Sequence, residues 1–240
     1  MDYYKEQFSK VGWFVPPYVP MECLSAIAYD ISKNNDSNLE LLLSHVYTNE
    51  YLAKMVISRY PIVPHISDYK KIISQPVDSH FLGLHHVAAS GLIPVIEGAA
   101  RKVLTAKGLS EEYVKNVFSS LAERCKDDVI KNNIGAVEEI VGALDSFVHF
   151  TKNSLYINSH HYSHDDNTNR HGILHGAFSD LDYGSPINFY NAIGAVDFLC
   201  FVVSIRASIS FLAPNASDES RKMAKQYALL QELSHWRNNS

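Results

Sequence analysis

The chain has 240 residues, of which 46% are hydrophobic and 20% charged, with a formal charge of 21 − 26 = −5. That is ample apolar material for a core, which excludes global disorder, and the length suits one large domain or two small ones. The mild acidity argues against a generic polyanion binder, which is usually basic overall, while leaving room for a local basic cleft.

Met1-Asp2-Tyr3-Tyr4-Lys5-Glu6 is charged and amphipathic and lacks the basic start and apolar run of a targeting signal. Residues 12–20 hold three prolines, Pro16, Pro17 and Pro20, which forbid a helix and predict an extended strap whose Trp13, Phe14 and Tyr18 pack on the body. Residues 21–33 place Leu24, Ile27, Ala28 and Ile31 at helical spacing, and Asn34 to Asn38 form a turn and cap cluster. Residues 39–59 carry one stripe from Leu42 to Val56, ended by Pro61 and Pro64. A short helix at 66–74 precedes a turn at Pro76, and 79–106 is the longest expected helix, bent at Pro94 and closed by Gly108. Ser110-Glu111-Glu112 caps a helix to about Lys131, and Asn132-Asn133 turns the chain into another at 136–152.

Residues 153–169 read as polar and irregular, followed by a short helix at 170–177 and a loop at 180–186. Residues 187–212 form a long apolar helix that Asp197 and Arg206 mark as a core helix, with no membrane span expected. Ser217 caps a final helix to about Trp236, with Arg221, Lys222, Lys225 and Arg237 as a modest basic face or a solvated surface. No alternating β pattern occurs, so the expected fold is all-α: a multi-helix bundle with an N-terminal helical region at 1–75 packed on a domain at 76–240, the two forming one continuous unit with no linker between them. Cys23, Cys125 and Cys200 lie far apart without a CxxC pair, which predicts reduced thiols in a cytoplasmic protein.

Histidine is the uneven feature. Of 12 in the chain, five (His160, His161, His164, His171 and His175) fall within 160–175, among Asp165, Asp166 and Arg170. Such a cluster suits acid–base chemistry or metal binding, or is a solvated loop. Within Asn169-Arg170-His171-Gly172-Ile173-Leu174-His175-Gly176, Ile173 and Leu174 anchor one face while His171 and His175 share another. Arg170 and His175 are five apart, splayed by about 140° on an ideal helix. They converge if Arg170 sits at an irregular helix start, or across a dimer. Gly172 and Gly176 leave room for a partner helix or a ligand.

Arg170, His171 and His175 match the R-x4–6-H motif, and the chain here resembles the HEPN superfamily (higher eukaryote and prokaryote nucleotide-binding domain). The motif followed by Asp182-Tyr183-Gly184 and a long apolar helix resembles HEPN-like bacterial proteins, many linked to phage defence. Leu92 to Arg101 resembles the helix that carries a Glu in such proteins. The resemblance covers about residues 80–212 and does not reach the first 75. It implies a HEPN-like helical core, a homodimer through the motif helices, and metal-independent cleavage of RNA by 2′-hydroxyl attack, without a cofactor. In that setting Arg170 and His175 are the catalytic pair, His171 orients them, and Asn169 holds phosphate or the helix start. Glu97 either pairs with Arg101 on the helix surface or steadies the Arg170 guanidinium. His85 and His86 read as structural. The resemblance also implies a toxin or defence role with a cognate antitoxin or regulatory protein.

Two other readings stay open. One is a non-catalytic dimerisation or binding module. The other is a metal-dependent hydrolase in which His171 and His175 take the two-His helical spacing of zinc ligands, with a third from His160, His161, His164 or Asp165. Gly172 stands where the zinc motif has its Glu base, and the primary expectation is that no metal is bound at the motif.

Overall fold

The computed structural model describes residues 1–33 and 39–239, with side chains through 237, and the turn expected at 34–38 lies outside that span. Among the described residues there are eleven α-helices and no strand. Asp2–Lys10 (α1) is a helix that the reading of the strap leaves unassigned; it packs on Met21–Lys33 (α2) through the chain reversal at Gly12. The strap between them is the first anchor of the core. Trp13 and Phe14 are buried, and the Val15 N–H donates to the Ser146 hydroxyl at 3.0 Å.

The stripe expected as one helix at 39–59 divides into Leu39–Ser44 (α3) and Asn49–Lys54 (α4), the latter continued by a wide turn, Met55–Arg59. Thr48 is the reason: its hydroxyl accepts the Tyr51 N–H at 3.2 Å and starts a new helix. Lys70–Phe81 (α5) runs through Pro76, where a turn was expected. Pro76 packs its ring against Gly91, where a Cβ would come within 3.0 Å of it, so the close approach of the next helix holds the proline inside α5. The break comes instead at Gly83, in the left-handed region, with the Leu84 N–H returned to Ser79 at 2.8 Å. His85–Ala106 (α6) therefore begins six residues later than periodicity predicts.

The next helix, Val114–Asn132 (α7), starts after Tyr113 and not at Ser110. Arg101 takes the carbonyls of Glu111 and Glu112, at 2.8 and 3.1 Å, and keeps those residues out of the helix. Asn133, in the left-handed region, ends α7, and Val137–Phe150 (α8) continues into a wide turn at Thr151–Leu155. After the irregular stretch come Arg170–Leu174 (α9), Pro186–Ser204 (α10) and Asp218–Asn239 (α11).

Helix α10 is the axis of the core. Every residue from Asn188 to Cys200 is buried, because apolar side chains face all round it. It packs on α6, stacks Phe198 on Phe147 of α8 at 4.0 Å, and stacks Tyr190 on Tyr47 at 5.4 Å. It alone among the described helices is long and apolar enough to cross a membrane, yet 83% of its apolar window lies buried inside the protein. It stops at Ser204, short of the expected 212. Arg59 captures the carbonyls of Ser210 and Leu212, and Arg206 turns out to Asp128 at 2.8 Å. One apolar cluster runs from Phe8 to Tyr227, and a division at 75/76 falls inside α5.

Asp197 lies in the middle of α10, 1% exposed, accepting from the Tyr60 and Tyr51 hydroxyls at 2.7 and 2.8 Å. Burial pushes its carboxyl up to about 7, against the pull of the two hydroxyl donors. The folded protein thus keeps a proton that the unfolded chain loses above the ordinary carboxyl value of 3.8, so stability falls as pH rises through that window. Burial holds His80 at about 3, which has the opposite effect on acidification but acts equally in a variant at 197. We expect urea unfolding of the wild type and Asp197→Asn to diverge between about pH 4 and about pH 7, the wild type losing stability relative to the variant as pH rises. A constant difference would show that Asp197 ionises normally.

Candidate active site

Helix α9 is a single turn, too short to form alone, so its shape is imposed from outside. Asn169 imposes it. Fully buried, its side-chain oxygen accepts the Gly172 N–H at 2.9 Å, and its amide donates to the carbonyls of Ser154 and Ile157 at 3.0 and 2.9 Å. Asn169 thus holds the helix start, one of its two expected roles. Gly172 does not receive a partner helix or a ligand: the Phe178 ring occupies the space, 2.1 Å from where a Cβ would stand. Ile173 is buried, whereas Leu174, expected beside it on the anchoring face, is exposed.

The polar loop before α9 is also tied down. Asp166 accepts from the Tyr162 hydroxyl at 2.8 Å and the Asn191 amide at 2.9 Å. Asn188 donates to the Asp166 carbonyl at 2.6 Å and to Thr168 Oγ1 at 2.9 Å. Two asparagines on α10 therefore fasten the loop to the core helix. Nothing in the local pattern singles out Asn188 or Asn191, which sit within an apolar run.

Arg170 and His175 converge within one chain. The helix ends at Leu174, His175 caps it with non-helical backbone angles, and Gly176 turns away in the left-handed region, so the ideal splay does not apply. Arg170 Nη1 lies 2.6 Å from His175 Nε2 and 3.5 Å from His171 Nδ1, and the two imidazoles lie face to face at 5.6 Å. An arginine can only donate, so His175 Nε2 accepts and carries no proton in this arrangement. Burial and then the Arg170 charge lower the His171 pKa, which favours a neutral ring there as well.

Glu97 closes the set from α6: its Oε1 accepts from Arg170 Nε at 2.7 Å, both side chains being 19% exposed. The alternative pairing with Arg101 does not form, since Arg101 is spent on the carbonyls of Glu111 and Glu112. Arg101 consequently supports the cleft wall and not the motif.

The two histidines of the set, His171 and His175, line a cleft of about 530 Å³ with His160, Tyr156, Tyr113 and Lys115 among others. That size is ordinary for a small-molecule or nucleotide site. Tyr156 is buried and its pKa pushed well above the usual range, by burial first and the Glu97 charge next. Its hydroxyl is enclosed and lies beside the Glu97 carboxylate. Tyr113, Lys115 and Tyr156 lie outside the motif, and no sequence signal marks them.

The other histidines disperse. His160 lines the cleft, His161 is exposed, and His164 packs edge-on to Tyr162 and against Gly12. His85 sits with its Nδ1 3.3 Å from that of buried His80, and His86 packs edge-on to Tyr183, both structural positions. Among the described residues no three His, Cys, Asp or Glu side chains form a set able to hold a metal ion. Arg221, Lys222 and Lys225 lie on α11, away from the cleft lining.

Frame and chemistry separate by stability. Asn169→Ala strips a cap and leaves two buried carbonyls unpaired, and is expected to cost about 2–3 kcal/mol. His175→Ala, at an exposed position, is expected to cost under about 0.5 kcal/mol. Urea unfolding midpoints of the two variants check this order. Comparison of the chain with protein-family models, with curated protein sequences and with solved structures finds no match in any of the three.

Proposed function

We propose that the chain is a metal-independent endoribonuclease of the HEPN type its motif resembles. The observation that carries the reading is the relay Glu97–Arg170–His175, at 2.7 and 2.6 Å, whose His175 lines an open cleft. It supplies what cleavage by an internal nucleophile needs: an imidazole nitrogen that accepts a proton, beside a permanent cation fixed by a carboxylate.

In the proposed reaction the Arg170 N–H groups not held by Glu97 turn to the scissile phosphate, which releases His175 Nε2. His175 takes the proton of the adjacent 2′-hydroxyl, and the 2′-oxygen forms its bond to phosphorus. The bond from phosphorus to the 5′-oxygen breaks, and that oxygen takes a proton from water at the open cleft. The products are a 2′,3′-cyclic phosphate and a 5′-hydroxyl. Arg170 balances the charge that builds on the phosphate oxygens. DNA has no 2′-hydroxyl and is not cut. The same resemblance supports a homodimer through the motif helices and a toxin or phage-defence role.

The test is cleavage of single-stranded RNA by the purified chain in EDTA, with end-group analysis. Cyclic-phosphate ends are expected, with the rate reduced at least about 10²-fold in both Arg170→Ala and His175→Ala. Glu97→Gln keeps the shape but loses the charge that fixes Arg170, and is expected to lower kcat more than it raises KM. Folded but inert wild type would favour a binding module, and activity only with added zinc or manganese would favour a His171–His175 ligand pair.

A further inference from the structure

Cleavage by an internal nucleophile moves two protons: one leaves the 2′-hydroxyl, and one must reach the departing 5′-oxygen. The Arg170–His175 pair accounts for the first. Among the side chains that line the cleft, those able to exchange a proton near neutral pH are three imidazoles, His160, His171 and His175. His175 Nε2 faces the Arg170 guanidinium and is the proton acceptor. His171 turns its Nδ1 to the same guanidinium at 3.5 Å, and burial and then the Arg170 charge lower its pKa, which makes it a poor donor. His160 remains, and it comes from a different element, the short turn Ser159–His161.

The fold fixes that turn against the motif. The Asn158 side chain accepts the His160 N–H at 3.0 Å, and the Asn158 carbonyl accepts the His161 N–H at 2.8 Å. The turn packs on α9. Buried Asn169 donates to the Ile157 carbonyl at 2.9 Å, just before the turn, while its oxygen starts α9 at Gly172. One amide therefore sets the spacing between the two histidine-bearing segments. Backbone contacts hold the turn, and the His160 ring is left to the cavity. We propose that His160 is the general acid that protonates the leaving 5′-oxygen. The assignment rests on the ribonuclease reading and gives to His160 the proton transfer assigned there to water. Protonated His160 passes its proton to the 5′-oxygen as the bond from phosphorus to that oxygen breaks, while His175 holds the proton taken from the 2′-hydroxyl. Both rings return to their starting states by exchange with solvent at the open cleft. An acid and a base on separate segments serve the entering and leaving oxygens of one phosphate at once.

The experiment compares cleavage, in EDTA, of a short single-stranded RNA and of the same RNA carrying one 5′-bridging sulfur, whose thiolate leaves without a proton. His160→Ala is expected to cut native RNA about 10²-fold more slowly and the sulfur substrate at nearly the wild-type rate. His175→Ala is expected to lose both. A general acid acts only when protonated, so wild-type kcat/KM falls on the alkaline side, and that fall is expected to vanish in His160→Ala. His160→Gln has no transferable proton near neutral pH and is expected to match His160→Ala. His161→Ala, at the exposed neighbouring position, is expected to match wild type. An unchanged native rate in His160→Ala, equal losses on both substrates, or a persisting alkaline fall would overturn the assignment and leave the Arg170–His175 reading intact. Wild type that cuts neither substrate sinks the ribonuclease reading and the assignment with it.

Discussion

Arg170 carries a permanent charge at 19% side-chain exposure, and the Glu97 carboxylate meets it at the same exposure. Each half-buried charge is offset by the other, which a lone charge there would lack. The pair ties α9 to α6 and sets the guanidinium plane, which in turn brings Nη1 to His175. Glu97 and Arg101 stand one turn apart on α6 and ignore each other. One reaches to the motif and the other to the carbonyls of Glu111 and Glu112, so a single helix spaces both walls of the cleft.

Behind that pair is a frame of buried amides. Asn169 shapes the one-turn helix, while Asn188 and Asn191 fasten the preceding loop through Asp166 and Thr168 to α10. Because α10 is buried all round, the loop is fastened to a core element. Side chains placed on such a frame keep their geometry without the ordering cost of a free loop, which is what a catalytic set requires. The exposed position of His175 and the cover given to its supports are consistent with that division of labour.

Much of the helix content is legible as local period. The stripe of α2, the turn at Asn132-Asn133 and the proline strap follow from residue type and spacing, and they stand where those features place them. The errors are mostly of extent. Periodicity runs on through Thr48, Gly83 and Ser204, but the chain is diverted there by a cap, a left-handed glycine and the reach of Arg59 to two distant carbonyls. Pro76 errs the other way, since only the facing Gly91 makes it tolerable inside a helix.

The sequence by itself determined the all-helical architecture and the candidacy of Arg170, His171 and His175, because both are written in spacings of a few residues. Tertiary structure decided which carboxylate meets Arg170, 73 residues away. It also decided that Arg101 braces a loop, and that Tyr113 and Tyr156 share a cleft with the motif. Such pairings join distant elements. They leave no local period to read, and are chosen only when burial brings the helices together and every charge and amide must find a partner.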